Sequence, residues 1–358
     1  MANKNIKILY NTAGSNKLGM GHIYNSLKLA DKFRKEYDAK ICYLLPSDSG
    51  PGIDLVQRNN YELKIFGPNN NEGYIKTIKE FQPDIIINDV LYIKEEFMRC
   101  LKNLDSLIIN FEHIKEPKSL GYSDIIFNSV YPPFISPKGD YYHGPKYAPL
   151  NESFKNIPKK KININCKNFY ISFGGSDPSK FTIKAIEALD RLEDITSTVL
   201  LGAGFNHNHL EELEKLLKKT GKNKFNIREK HDIDYINQAD IGVVSGGYTI
   251  YELAATGTPS LALSHNEMEA ERLKLFSEDG ITMDLGKGKV ISNITVDNLF
   301  LSIKEFIDNY ELREKMSKTQ QELVDGKGLD RIVEIIIDKF IDKKLNWKEG
   351  NFYNPIWT

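Results

Sequence analysis

The sequence predicts an α/β protein of two domains, each built on a mostly parallel sheet. Three observations predict it. Short apolar, β-branched runs alternate with helix-period segments along most of the chain. Glycine-bearing turns follow several of those runs directly. The pattern also restarts midway: after a proline- and lysine-bearing stretch at 154–165, the run NFYISFGGSDPS opens a second strand–turn–helix series. With 358 residues, 41% of them hydrophobic, the chain can bury two cores.

Charge and composition exclude several function classes. The 48 basic and 49 acidic residues leave a net charge of −1, without the basic footprint of a nucleic-acid partner. No apolar run reaches the ~18 residues of a membrane span, and the opening MANKNIKILYNTAG lacks a signal-peptide pattern. Cys42, Cys100 and Cys166 form no CxxC and read as buried thiols of a reducing compartment. The expectation is a cytoplasmic protein with no nucleic acid as partner and no membrane span.

In chain order, residues 6–10 read as a buried strand, followed by a long loop, Asn11 to His22, and a helix carrying Ile23, Leu27, Ala30 and Phe33 on one face. The loop has neither the Gly-Lys-Ser/Thr of a Walker A turn nor the GxGxxG spacing of a dinucleotide turn. It does hold Gly19-Met20-Gly21-His22, with the histidine at the helix start. A helix N-terminus disfavours the imidazolium, so His22 is expected to be neutral at pH 7 and able to accept a proton. Residues 40–45 form the next strand, and SDSGPG at 47–52 reads as a loop. The strands at 85–87, 107–110 and 125–127 stop on Asn88-Asp89, on Phe111-Glu112-His113 and on Asn128. Each polar end alone reads as an Asx turn or cap. If its strand is central, however, Asp89 faces the ligand side of the sheet.

Residues 154–165 carry a lysine run and no amphipathic period, and read as an interdomain linker. The second half then gives strands at 169–173, 198–201, 225–228, 241–244 and 260–264. Helices fall at 181–192, through Leu210–Leu217 and at 233–239, with a further one at 248–256 that Gly257 caps. Three of these strands end in glycine turns: Gly174-Gly175-Ser176, Gly202-Ala203-Gly204 and Ser245-Gly246-Gly247. In the third, Tyr248 and Thr249 open a helix whose free N–H groups favour an anion. Glu252 follows one turn later. A carboxylate there repels a lone phosphate, but it accepts hydrogen bonds from ribose hydroxyls while the backbone holds a diphosphate. His207 and His209 lack a third ligand, so no metal is expected. The last helix is expected at 330–342, and the tail with Trp347, Phe352, Tyr353 and Trp357 reads as a docking strap.

LGMGH at 18–22, FGGSD at 173–177, SGG…E at 245–252 and LVDGKG at 323–328 occur in one order. Together they resemble the nucleotide-sugar hydrolases of the pseudaminic acid pathway and their spore-coat-polysaccharide relatives, which are themselves similar to the GT-B glycosyltransferase that forms lipid II. The resemblance runs over about residues 6–340. It implies a GT-B fold, two Rossmann-like domains facing a central cleft, with domains at 1–153 and 166–329 and a returning C-terminal segment at 330–358. It implies a UDP-sugar substrate, a possible sugar or glycan acceptor, no metal and no cofactor. Residue by residue, His22 matches the catalytic histidine and Asp89 an acid near the sugar. Gly174, Gly175, Ser176, Gly202, Gly246, Gly247, Tyr248 and Thr249 fall on the nucleotide turns, with Glu252 on the ribose. Gly19, Gly21, Asn25, His265 and Asn266 fall on the sugar side. There the chain departs from the family: Asn25 replaces a common arginine, Asn151 follows Gly144-Pro145-Lys146-Tyr147 where a second arginine is usual, and His265-Asn266 stands where an Asn-Gln pair is expected. The functional expectation is a UDP-sugar hydrolase, with a glycosyltransferase and a non-catalytic binding subunit as the alternatives.

Overall fold

The computed structural model describes residues 5–15, 19–67, 71–90, 92–111, 117–131, 133, 139–202 and 204–350. The chain forms two compact units: residues 1–129, 133–149 and 328–358, and residues 130–132 and 150–327.

The first unit runs β1 (Lys7–Thr12), α1 (Gly21–Tyr37), β2 (Lys40–Pro46), α2 (Gly50–Arg58), β3 (Glu62–Phe66) and α3 (Asn71–Phe81). It continues through β4 (Ile85–Asp89), α4 (Glu95–Lys102), β5 (Leu107–Phe111), α5 (Pro117–Leu120), β6 (Ile125–Asn128) and β7 (Asp140–His143). The strands pair in parallel in the order β3-β2-β1-β4-β5-β6-β7. A parallel sheet covered on both faces needs strands that are apolar throughout, and β4 and β5 are buried along their whole length. Alternate residues supply two cores. Ile8 and Tyr10 pack under α1 with Ile23, Leu27 and Phe33, while Leu9 and Ile86 face Phe97, Met98 and Leu101 of α4.

The second unit runs β8 (Asn168–Ser172), α6 (Phe181–Leu189), β9 (Thr196–Leu200), α7 (His207–Leu217), β10 (Lys224–Arg228), α8 (Ile233–Gln238) and β11 (Ile241–Ser245). It continues through α9 (Thr249–Thr256), β12 (Ser260–Leu263), α10 (Glu267–Glu278), β13 (Met283–Asp284), α11 (Val296–Asp308) and α12 (Tyr310–Leu323). Its strands are again parallel, in the order β10-β9-β8-β11-β12-β13. In each unit the first strand lies between the second strand and the strand that follows the third: β1 between β2 and β4, β8 between β9 and β11. That is the switch point at which open parallel sheets bind ligands, beyond the carboxyl ends of the strands.

Helix α13 (Gly328–Gly350) returns to the first unit. Leu329, Ile332, Val333, Ile336, Ile337 and Phe340 enter the core under α1, and Asp330 pairs with Lys32 at 2.7 Å. The return is tight, because a Cβ on Gly328 would lie 2.1 Å from the Ala148 carbonyl oxygen.

Several expectations from the sequence change. Residues 154–165 are not a free linker but part of the second unit. Phe154 is buried, and the fully buried Arg313 of α12 donates to the carbonyls of Asn163 and Ile164. Gln321 accepts from the Lys160 amide at 3.0 Å. Side chains from α12 thus satisfy backbone groups that a linker would give to water, which a lysine run does not reveal. The division falls at 149/150 and 327/328 rather than around 154–165 and at 329/330. Residues 50–52, read as loop, open α2 with Pro51 in its first turn. Cys42 and Cys166 are buried, but Cys100 is exposed. The last helix extends beyond 342, and residues 351–358 of the aromatic tail, like the Trp347 side chain, lie outside the described residues.

Candidate active site

In the first unit, the register of β1 and β4 sets Thr12 opposite Asp89. The Thr12 hydroxyl donates to the Asp89 carbonyl at 3.0 Å. Behind it, the Asn11 amide donates to Asn88 and the Asn88 amide to Asn110, at 3.0 and 2.8 Å. The polar strand ends, each readable as a local Asx turn, are therefore a ladder across three strands that fixes where Asp89 stands. His22 lies in the first turn of α1, which no side chain caps. Ser15 and Gly19 exchange backbone hydrogen bonds across the base of the loop, and Gly19 takes a left-handed φ of 84°.

This brings His22 Nδ1 within 2.5 Å of Asp89 Oδ1. The Asp89 side chain is 6% exposed and the His22 ring 18%, so the carboxylate lies behind and the ring in front. With Nδ1–H donated to the carboxylate, the tautomer presents Nε2 as a proton acceptor. The pairing adds to the helix start a second charged neighbour for the ring, the Asp89 carboxylate. Asn25, expected on the sugar side, is buried and accepts from Lys28 Nζ at 3.2 Å. Gly21 is exposed at the helix start.

In the second unit the three glycine turns differ in kind. Gly202 is a packing glycine, since a Cβ there would lie 2.4 Å from the Gly175 Cα. The Gly204 amide donates to the Gly175 carbonyl at 2.8 Å, so the second turn braces the first. Gly246 packs on α10, where a Cβ would meet the Glu269 carbonyl at 3.0 Å. Gly175 and Gly247 face open space, with Ser176 half-buried beside Gly204.

The helix starts differ as well. Asp177 accepts from the amides of Phe181 and Thr182 at 2.8 and 2.7 Å, filling the start of α6 with a carboxylate. Asn206 caps α7. Among the described residues, no side chain caps the start of α9, which is entered through Tyr248 and Thr249. The start of α6 is thus filled while that of α9 stays open, beside the Gly174-Gly175 turn, where Gly174 has φ 76°.

Glu252, on α9, is paired with His231, whose Nε2 lies 3.0 Å from Oε2. No spacing in the sequence signals that pair. His265 and Asn266, expected near the sugar, both have partners within the fold. The His265 ring stacks on Phe181 at 4.7 Å and bonds Ser179 Oγ and the Phe173 carbonyl. Asn266 caps α10 by accepting from the Glu269 amide. His209 is buried against Phe205, and burial lowers its pKa. His207 is exposed beside Glu211. Among the described residues, no group of three or more His, Cys, Asp or Glu is placed to hold a metal ion, and no helix is long and apolar enough to cross a membrane.

No protein-family profile matches the chain. It is 28% identical over 338 residues to the spore coat polysaccharide biosynthesis protein SpsG of Bacillus subtilis, covering 91% of this chain and 96% of that protein. It is 23% identical over 256 residues to the UDP-2,4-diacetamido-2,4,6-trideoxy-beta-L-altropyranose hydrolase of Campylobacter jejuni, covering 69% of this chain and 87% of the hydrolase. Among solved structures, MurG of Acinetobacter baumannii matches with a TM-score of 0.69 at 12% identity, over 94% of this chain and 99% of that one. By fold the chain is an α/β protein of the GT-B type, and by sequence it is similar to a spore coat polysaccharide biosynthesis protein and to a UDP-sugar hydrolase.

Proposed function

We propose that the protein hydrolyses a UDP-linked amino or deoxy sugar, releasing UDP, in the cytoplasmic assembly of a bacterial surface glycan. The observation that carries this reading is the His22–Asp89 pair at 2.5 Å. Asp89 holds the ring, and Nε2 takes a proton from water as the water oxygen bonds to the anomeric carbon. The bond from that carbon to the diphosphate oxygen breaks, and UDP leaves with the electron pair. Within the second unit, the N–H groups at the start of α9 and the Gly174-Gly175 turn suit the negative charge of a diphosphate, and the Glu252 carboxylate suits ribose hydroxyls.

Incubation with a panel of UDP-sugars is expected to release UDP without an acceptor, and to do so in the presence of a chelator. His22→Ala is expected to cut turnover by ~10²–10⁴-fold, the usual contribution of a general base, and to leave UDP affinity unchanged. Asp89→Asn, which can leave the wrong tautomer in place, is expected to lower turnover in the same way. Loss of UDP affinity and thermal stability in His22→Ala, with turnover at saturation intact, would return His22 to a structural role.

A second reading, glycosyl transfer, is favoured by Asn25. Where the related hydrolases commonly carry an arginine, this side chain is bonded to Lys28, so the sugar side differs from theirs. The same pair deprotonates a sugar hydroxyl as readily as water, and transfer would show as UDP release that requires an acceptor.

A further inference from the structure

His231 lies beyond the end of β10, 21 residues before its partner Glu252. The Glu252 side chain is only 13% exposed and the His231 ring 32%, so the ring forms the outer wall of the pair. Phe154 stands beside the ring, with centroids 6.1 Å apart. Beneath Glu252 lies Tyr170, fully buried, whose phenol pKa is raised by burial and then by the Glu252 charge. A carboxylate only accepts hydrogen bonds, so the 3.0 Å contact requires the hydrogen on His231 Nε2. That bond occupies Oε2. Oε1 accepts from none of the described residues.

We propose that His231 is a positioning residue of the nucleotide pocket. By holding Oε2, it fixes the carboxylate so that Oε1 meets the ribose hydroxyls, and it thereby sets the preference for ribose over deoxyribose nucleotides. The inference rests on the reading of Glu252 as the ribose acceptor. The physical basis is pre-organisation: an acceptor already locked in one rotamer loses less freedom when the hydroxyls arrive. A ligand lacking the 2′-hydroxyl gains less from that lock, so His231 acts on the ratio of the two affinities and not only on affinity itself.

The test is calorimetric titration of the full chain with UDP and with 2′-deoxy-UDP, in the wild type, His231→Ala, His231→Gln and Glu252→Ala, with thermal melts to establish that each variant folds. The wild type is expected to prefer UDP. His231→Ala is expected to reduce that preference by about threefold to tenfold, the worth of one hydrogen bond. His231→Gln, whose amide can donate to Oε2, is expected to restore most of it. A wild-type preference in His231→Ala would overturn the proposal, as would tighter UDP binding in that variant, which would show that the ring occupies the ribose position. If Glu252→Ala binds UDP as the wild type does, the nucleotide reading falls and the His231 inference with it. If Glu252→Ala weakens UDP binding while both His231 variants behave as wild type, only the inference falls.

Discussion

Gly202 and Gly247 carry the same letter and opposite burdens. A Cβ on Gly202 would lie 2.4 Å from the Gly175 backbone, with no flexible side chain to give way, whereas one on Gly247 meets nothing within 4 Å. Gly202→Ala is therefore expected to destabilise the second unit by about 1–3 kcal/mol, as overpacking does, with Tm and UDP affinity falling together. Gly247→Ala is expected to keep the wild-type Tm and, on the proposed reading of this turn as part of the nucleotide site, to weaken UDP binding alone, because the added methyl meets no protein atom within 4 Å. Thermal melts paired with calorimetry separate the two, and equal Tm losses would remove the distinction between brace and site. The glycine turns were legible in the sequence. Which of them packs against another was not, because that depends on how close two backbones come.

Elements show the same division between local pattern and long-range partner. The segment 154–165 has no period of its own, yet α12 ties it down through Arg313 and Gln321. Within it, Lys160 Nζ donates to the Asn237 carbonyl at 2.7 Å, and burial lowers the lysine pKa to about 8. An unfolded lysine titrates near 10.4, so above pH 8 the unfolded state binds the extra proton. Stability from this group then rises with pH, up to the unfolded pKa. Relative to Lys160→Met, the wild type is expected to gain stability between pH 8 and 10.5 in urea unfolding. A constant difference across that window would contradict the assignment. Helix caps follow the same logic. Asp177 lies four residues before the first residue of α6 and still fills that helix start, which is why a glycine turn followed by a helix did not guarantee an anion site.

At the scale of the whole chain, α13 completes a unit that begins more than three hundred residues earlier in sequence. Ile332 is fully buried in the first unit's core. Ile332→Ala is expected to lower that unit's stability by about 2–5 kcal/mol, measured by urea unfolding, while UDP affinity in the second unit stays at its wild-type value. A simultaneous loss of UDP binding would show that the two units do not unfold independently.

What the sequence determined by itself was the alternation of strand and helix, the presence of two such series and the residue types at their turns. Those follow from propensity, period and turn chemistry, all of which act over a few residues. His22, Asp89, Gly175, Gly247, Glu252, His265 and Asn266 could be singled out on that basis, but not their partners: the ring that His265 stacks on and the amide that Asn266 caps are set by the fold. Only the tertiary structure decided strand order, and with it the pairings on which the proposed function rests. Asp89 meets His22 because β4 inserts beside β1 rather than beside β3. Glu252 meets His231 because α9 and the end of β10 converge. The physical reason is range: hydrogen bonds and close packing act over a few ångströms, between residues that the chain itself separates by tens of positions.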